Sequence, residues 1–224
     1  MILSDSNTTA SRGALIVVEG GDRCGKTSQC SVLVSHLCAA GFNVMAHKFP
    51  DRTLDTGVLI DQYLRGTKEV DDHAIHLLFS ANRWESMGHI KSLIDQGITI
   101  VVDRYAFSGA AYTAAKGIDL EWCKRPDMGL LKPDLVLYLD LDPKIAAARA
   151  EYGSERYETI EFQAAVRRNF YQIADDSWKF VDANRTVEAI STDMISTVLQ
   201  TIKDVKSKPI LSNLWEDNLI KVSN

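Results

Sequence analysis

The chain has 224 residues and 24.9 kDa and is 46% apolar, enough for one full-sized core and not a composition that favours disorder. A formal charge of −5 argues against a protein built to hold nucleic acid, although a locally positive site can still take a small anion. The four cysteines form no C-x-x-C pair, the first residues show no basic stretch followed by an apolar block of the signal-peptide kind, and no run approaches roughly 20 apolar residues, so the expectation is reduced thiols, a cytosolic or nuclear compartment and no membrane span.

In chain order, residues 1–12 read as a disordered tail and "ALIVVEG" (14–20) as a first strand. Residues 27–40 follow as a helix, with Cys30, Leu33, Val34, Leu37 and Cys38 at helical spacing and Gly41 as its stop. "NVMAHKFP" (43–50) is the second strand, and 71–96 is the longest helix, stopped by Gly97. "ITIVVDR" (98–104) and "DLVLYLDL" (134–141) are the third and fourth strands, and a helix over 143–151 opens on Pro143. A helix over 158–174, a fifth strand "WKFVDA" (178–183) and a helix over 186–203 complete the set, and 216–224 is expected to fray. Most strand runs are continuously apolar, as in strands covered on both faces. Strand followed by helix, repeated, implies an α/β fold: a five-stranded parallel sheet with helices on both faces, a three-layer sandwich. No repeat or Pro/Gly-rich linker divides 13–215, which reads as a single domain.

Gly20-Gly21-Asp22-Arg23-Cys24-Gly25-Lys26-Thr27 fits G-x-x-x-x-G-K-[ST] between a buried strand and a helix, the setting of a P-loop NTPase. Glycines there let backbone amides turn inward onto phosphate oxygens, at the positive end of a helix. Lys26 would reach the β and γ phosphates and Thr27 would ligate Mg²⁺. Asp103, at the tip of the third strand, faces the crevice where such sheets bind ligands and is a second candidate for holding the ion. No N-K-x-D stands in the chain, so the usual guanine reader is missing. A compact kinase acting on a second phosphorylated molecule needs more arginines near the phosphates, and Arg52, Arg83 and Arg104 are positioned for this. A nucleotide-dependent switch without transfer is the rival reading.

"EGGDRCGKT", "FPDRT", "HLLFSANRWE", "DRYAFSGAAY" and "ERYE" stand in the order and spacing of the thymidylate kinase family, and over most of its length the chain resembles the eukaryotic form. The resemblance implies a nucleoside monophosphate kinase-like fold and transfer of phosphate from MgATP to dTMP, giving dTDP for dTTP synthesis. It implies ATP on Gly20, Gly21, Asp22, Arg23, Cys24, Gly25, Lys26, Thr27 and Ser28, with Arg23, Lys26 and Asp103 catalytic and Thr27 and Asp103 at the metal. Asp22 would also accept the sugar 3′-hydroxyl. Phe79 would stack on thymine and Arg83 hydrogen-bond the base; periodicity alone favours Phe79 as an ordinary core aromatic, and only the resemblance reverses that. Ser108 would contact the base, Tyr112 would crowd a 2′-hydroxyl, and Arg52 and Arg104 would grip the dTMP phosphate. "RAEYGSERYE" (149–158) resembles a lid, with Arg149 on the adenine and Arg156 near the phosphates, and "DANRT" (182–186) the border of the adenine site. Members of the family are homodimers, which the apolar surface of the long helix would suit.

In two places the chain departs from the family pattern. Cys24 stands where a small residue is expected; beside Lys26 at a helix N-terminus its thiol is either reactive or a small inert filler. Tyr112 stands where some members carry Phe, so the resemblance supports sugar discrimination by shape and assigns its hydroxyl nothing.

Overall fold

The computed structural model describes residues 11–149 and 156–216. Among them, β1 (Leu15–Gly20), β2 (Val44–Lys48), β3 (Thr99–Asp103), β4 (Leu135–Asp140) and β5 (Trp178–Asp182) form one all-parallel sheet in the order β2-β3-β1-β4-β5. Side chains alternate across a strand, so each strand feeds two cores. Leu15, Val17, Ile100, Val102, Val136 and Tyr138 pack under α3 (Asp72–Asp95), α4 (Ala106–Ala114) and α7 (Ile160–Ile173). Ile16, Val18, Val101, Leu137 and Leu139 pack under α1 (Lys26–Ala39) and α8 (Val187–Val205). The three inner strands are buried on both faces, whereas the edge strands β2 and β5 are partly exposed, which accommodates Lys48 and Lys179.

The helix starts follow cap chemistry. The Asp71 carboxylate accepts the His73 and Ala74 amides ahead of α3, and the Thr159 and Thr186 hydroxyls cap α7 and α8. Pro143 does open a helix, but α6 (Pro143–Ala147) is shorter than the expected 143–151. Three helices escape the sequence reading: α2 (Asp55–Leu64), α4 and α5 (Leu120–Lys124). In α4, Ala106, Phe107, Ser108, Ala110, Ala111 and Thr113 are all buried, so no stripe separates an inner from an outer face. In α2, Gly57 lies against the turn before it; a Cβ there would stand 1.9 Å from the Asp51 carbonyl oxygen. Such a glycine reads as a breaker although it permits the packing. At five residues, α5 is too short for any period to show.

Arg12, assigned above to the tail, is instead buried and makes a two-pronged ion pair with Asp134 at 2.7 and 2.8 Å. Near the other end Leu214 is buried and Trp215 packs edge-on against Phe107 of α4. Residues 1–10, 150–155 and 217–224, which include most of the expected lid and most of each expected tail, lie outside the described residues. No helix among the described residues is long and apolar enough to cross a membrane, and the four cysteines are free thiols.

His76 of α3 has no exposed surface; its Nδ1 lies 2.9 Å from the Thr113 hydroxyl and its Nε2 2.8 Å from the Cys123 carbonyl oxygen. A carbonyl only accepts, so Nε2 carries the proton and Nδ1 accepts from Thr113. Burial, reinforced by the nearby Arg83 charge, lowers the ring's pKa from its ordinary 6.5 to about 4. Between those values the unfolded chain binds a proton that the folded chain refuses, so this stability is complete above pH 6.5 and drains as pH falls toward 4. The loss is on the order of 3 kcal/mol. Urea unfolding at pH 7 and pH 4.5 should show a shallower pH slope for His76→Gln than for the wild type, and equal slopes would refute the assignment.

Candidate active site

β1 and β3 end side by side, with Val18 opposite Asp103 in the register, so the loop after β1 and the acid ending β3 share one crevice. The loop turns into α1 through Gly25 at φ +97°, a left-handed conformation open to glycine at little cost. Lys26 is buried and folds back along the loop, its ammonium 3.6 Å from the Cys24 sulfur. Cys24 itself is only 2% exposed and belongs to the core beneath α1, which favours the inert filler over the reactive thiol.

The Thr27 hydroxyl donates to Asp103 Oδ2 at 2.6 Å, and Lys48 Nζ stands 3.2 Å from that hydroxyl and 3.3 Å from the same carboxylate oxygen. Burial works against the Asp103 charge, but Lys26, the Thr27 hydroxyl, Arg104 and Lys48 outweigh it and hold the pKa below the usual carboxylate value. Asp103 Oδ1 is buried and has no hydrogen-bond partner among the described residues. An ionised oxygen left bare beside a threonine hydroxyl is a donor set that fits a hard divalent cation.

Asp22, the acid inside the phosphate loop, accepts from the Arg104 guanidinium and, at 2.7 Å, from Gln163 Nε2, while its own amide donates to Gln163 Oε1 at 2.9 Å. Burial raises its pKa, yet Arg104 and Lys26 more than reverse that and keep Asp22 below its ordinary value. Arg104 sits at φ +70°, rare for a residue with a side chain, with Nη1 3.2 Å from the Ser108 hydroxyl and 3.3 Å from that of Tyr112. Behind it, Glu19 of β1 has no exposed surface and accepts the Tyr105 and Ser108 amides at 2.8 and 3.0 Å and the Ser108 hydroxyl at 2.6 Å. α4 has no side-chain cap of its own, so this carboxylate caps it from the neighbouring strand. Burial raises the Glu19 pKa, opposed by the Ser108 hydroxyl and by Arg104.

Arg23 also has a positive φ, +59°, and its Nε donates to Glu158 at 2.7 Å. Arg149 donates to the Arg23 carbonyl at 2.6 Å and to that of Ala183 at 3.2 Å, joining the phosphate loop to the segment after β5. Arg52 pairs with Asp61 of α2, and its segment is tied to α3 by Asn82, which accepts the Asp51 amide at 2.8 Å and donates to the Asp51 carbonyl at 2.9 Å. Phe79 packs against the small cluster formed by Ile60, Tyr63, Leu64 and Ile75 yet keeps part of its surface on the cleft, so it is core and site wall together. Arg83, one turn further along α3, is held by the buried Asp127.

A cleft of about 680 Å³ collects Asp22, Arg23, Gly25, Lys26, Thr27, Ser28, Arg52, Phe79, Arg83, Asp103, Arg104, Ser108, Tyr112 and Arg149. Seven basic side chains and three carboxylates line it, a local excess of positive charge on an acidic chain. Gly20, Gly21 and Cys24 are not among the residues that line it. Arg156 stands apart: it pairs with Glu69, donates to the Tyr63 carbonyl at 3.2 Å and lies 4.3 Å over the Tyr63 ring. Sequence reasoning missed Glu19, Lys48, Asp127, Gln163, Tyr157 and Glu158. Glu19 had a visible signal, an acid inside an apolar run; Gln163 had none.

The family model described as thymidylate kinase matches residues 18–194. The human thymidylate kinase is 49% identical over 211 residues, 92% of this chain and 99% of that protein, and the Danio rerio thymidylate kinase is 49% identical over 208 residues, 91% and 98%. The solved thymidylate kinase of Candida albicans superposes with a TM-score of 0.79 at 39% identity, covering 86% of this chain and 93% of that one. Near half identity across almost the whole of its relatives, on the same fold, admits one conclusion: the chain belongs to the thymidylate kinase family.

Proposed function

We propose that the chain transfers the γ-phosphoryl group of ATP to dTMP, giving ADP and dTDP on the way to dTTP, in the cytosol or nucleus where its four free thiols stay reduced. The observation that carries this is the Asp22–Arg104 pair, because it joins the loop that holds ATP to an arginine at the acceptor end of the same cleft. An NTPase that only splits ATP has no use for such a link, whereas a phosphotransferase must hold two nucleotides end to end.

An oxygen of the dTMP phosphate attacks the γ-phosphorus, and the bond from that phosphorus to the β–γ bridging oxygen breaks, leaving with ADP. The acceptor is already an anion, so no general base is needed. Catalysis is positioning and charge cancellation. Lys26 and Arg23 serve the transferring group, Arg52 and Arg104 the acceptor phosphate. Asp22 takes the sugar 3′-hydroxyl, Phe79 and Arg83 the base, Ser108 and Tyr112 the wall beside it, and Arg149 the adenine. Thr27 and Asp103 are the residues that would hold Mg²⁺, supported by the bare, buried Asp103 Oδ1. Bound there, the ion would neutralise charge on the phosphates.

An ADP-coupled assay over dTMP, dUMP, dGMP, CMP and thymidine tests the substrate: dTMP should dominate, and ADP release indifferent to the acceptor would overturn the reading. Lys26→Ala should lower kcat by about three orders of magnitude. Phe79→Ala should instead raise the KM for dTMP roughly tenfold and change kcat little; an unchanged KM removes Phe79 from the base site. Asp103→Asn should weaken Mn²⁺ binding in the presence of ATP, read by electron paramagnetic resonance, about tenfold; equal affinity would move the metal elsewhere.

A homodimer is part of the same reading. Val58 of α2 and Leu77 and Trp84 of α3 are 51%, 49% and 44% exposed, an apolar surface suited to helix packing against a second copy. Light scattering should give twice the chain mass at micromolar concentration, and a monomer there would contradict it.

A further inference from the structure

Among the described residues, the arginine–carboxylate pairs at the cleft differ in how far water reaches them. Side-chain exposures are 26% and 3% for Arg23–Glu158, 40% and 23% for Arg52–Asp61, and 21% and 14% for Arg104–Asp22. For Arg83–Asp127 they are 3% and 0%. The contact is two-pronged: Arg83 Nε donates to Oδ1 at 3.0 Å and Nη2 to Oδ2 at 2.5 Å. The Ser80 hydroxyl lies 2.8 Å from Oδ1, and Trp84 Nε1 donates to the Pro126 carbonyl at 2.8 Å, so α3 and the short 3₁₀ turn Arg125–Asp127 are fastened together.

On its other side the guanidinium lies against Gly109 of α4. A Cβ at that position would stand 2.8 Å from Nη2 and 3.1 Å from Nη1, so the absence of a side chain is what lets the group lie there. Two of its nitrogens are committed to Asp127. Nη1 has no hydrogen-bond partner among the described residues, and Arg83 lines the cleft one helical turn from Phe79.

Two consequences follow from chemistry. A guanidinium only donates hydrogen bonds, so a fixed one favours a ring carbonyl and leaves a ring amino group without an acceptor. An unpaired guanidinium would also attract phosphate, and in a cleft that takes two polyanions this would invite a nucleotide to bind backwards. We propose that Asp127 is a positioning residue for base recognition, locking Arg83 as a donor toward a pyrimidine carbonyl and cancelling the charge that would draw a phosphate to the base end. This rests on the dTMP reading above.

The test uses the full chain. Asp127→Asn should raise the KM for dTMP about tenfold or more with kcat within about threefold of wild type. The preference for dTMP over dCMP, which carries an amino group in place of one carbonyl, should shrink. Pyrophosphate should become a stronger competitor of dTMP, because Arg83 is now an uncancelled cation. In the double variant Arg83→Gln with Asp127→Asn, the pyrophosphate effect should vanish while the dTMP KM stays high and the ATP KM stays normal. A residue that served only to hold the fold would lower kcat and leave selectivity and pyrophosphate inhibition unmoved, and that result overturns the proposal. If Asp127→Asn does not fold, the double variant decides, since an unchanged dTMP KM there is equally fatal. Failure of wild type to use dTMP would sink the substrate reading first; an active wild type with an indifferent variant would sink this inference alone.

Discussion

The register between β1 and β3 is the constraint on which the site depends. With Val18 opposite Asp103, the phosphate loop leaves one strand tip where the Asp103 carboxylate closes the neighbouring one, and Thr27 can reach it at 2.6 Å. A slip of one residue would turn Asp103 to the opposite face of the sheet and bury its charge in a helix layer. Leu15 and Val17 fill one core and Ile16 and Val18 the other, so a slip would also exchange side chains between two closely packed layers. The same packing that stabilises the sheet therefore sets the geometry of the chemistry.

Within that frame the cleft solves an electrostatic problem. Its basic side chains would repel one another and disorder if left bare, and each carboxylate that meets one also competes with phosphate for it. The protein grades these pairs by burial. Arg23, Arg52 and Arg104 are matched where water reaches at least one partner, and pairs of that kind are held less firmly than a fully buried one. Arg83 is matched where water does not reach, and a pair of that kind does not open without large cost.

Local features of the site were legible in the sequence; its long-range contacts were not. The phosphate loop is eight consecutive residues whose spacing states its own geometry, and strand runs such as "ITIVVDR" needed no partner to be recognised. Glu19 and Gln163 act across 86 and 141 positions, and nothing in the neighbourhood of either residue announces the amide or carboxylate it will meet. The helix α4 was hidden for a related reason: it is wrapped on nearly all sides, and periodicity registers only a contrast between inside and outside. Arg156 sits in a recognisable motif, but its side-chain partners, Glu69 and Tyr63, lie 87 and 93 positions away and were equally hidden.

Arg23 and Arg104 both hold the left-handed backbone conformation that residues with a side chain avoid. Each position costs about 1 kcal/mol or more relative to a glycine, and each is occupied by a side chain the cleft cannot surrender. Selection for a hardier fold alone would favour losing both. Their presence makes the molecule softer than its sheet allows, with thermal resilience conceded at two spots where charge must point inward.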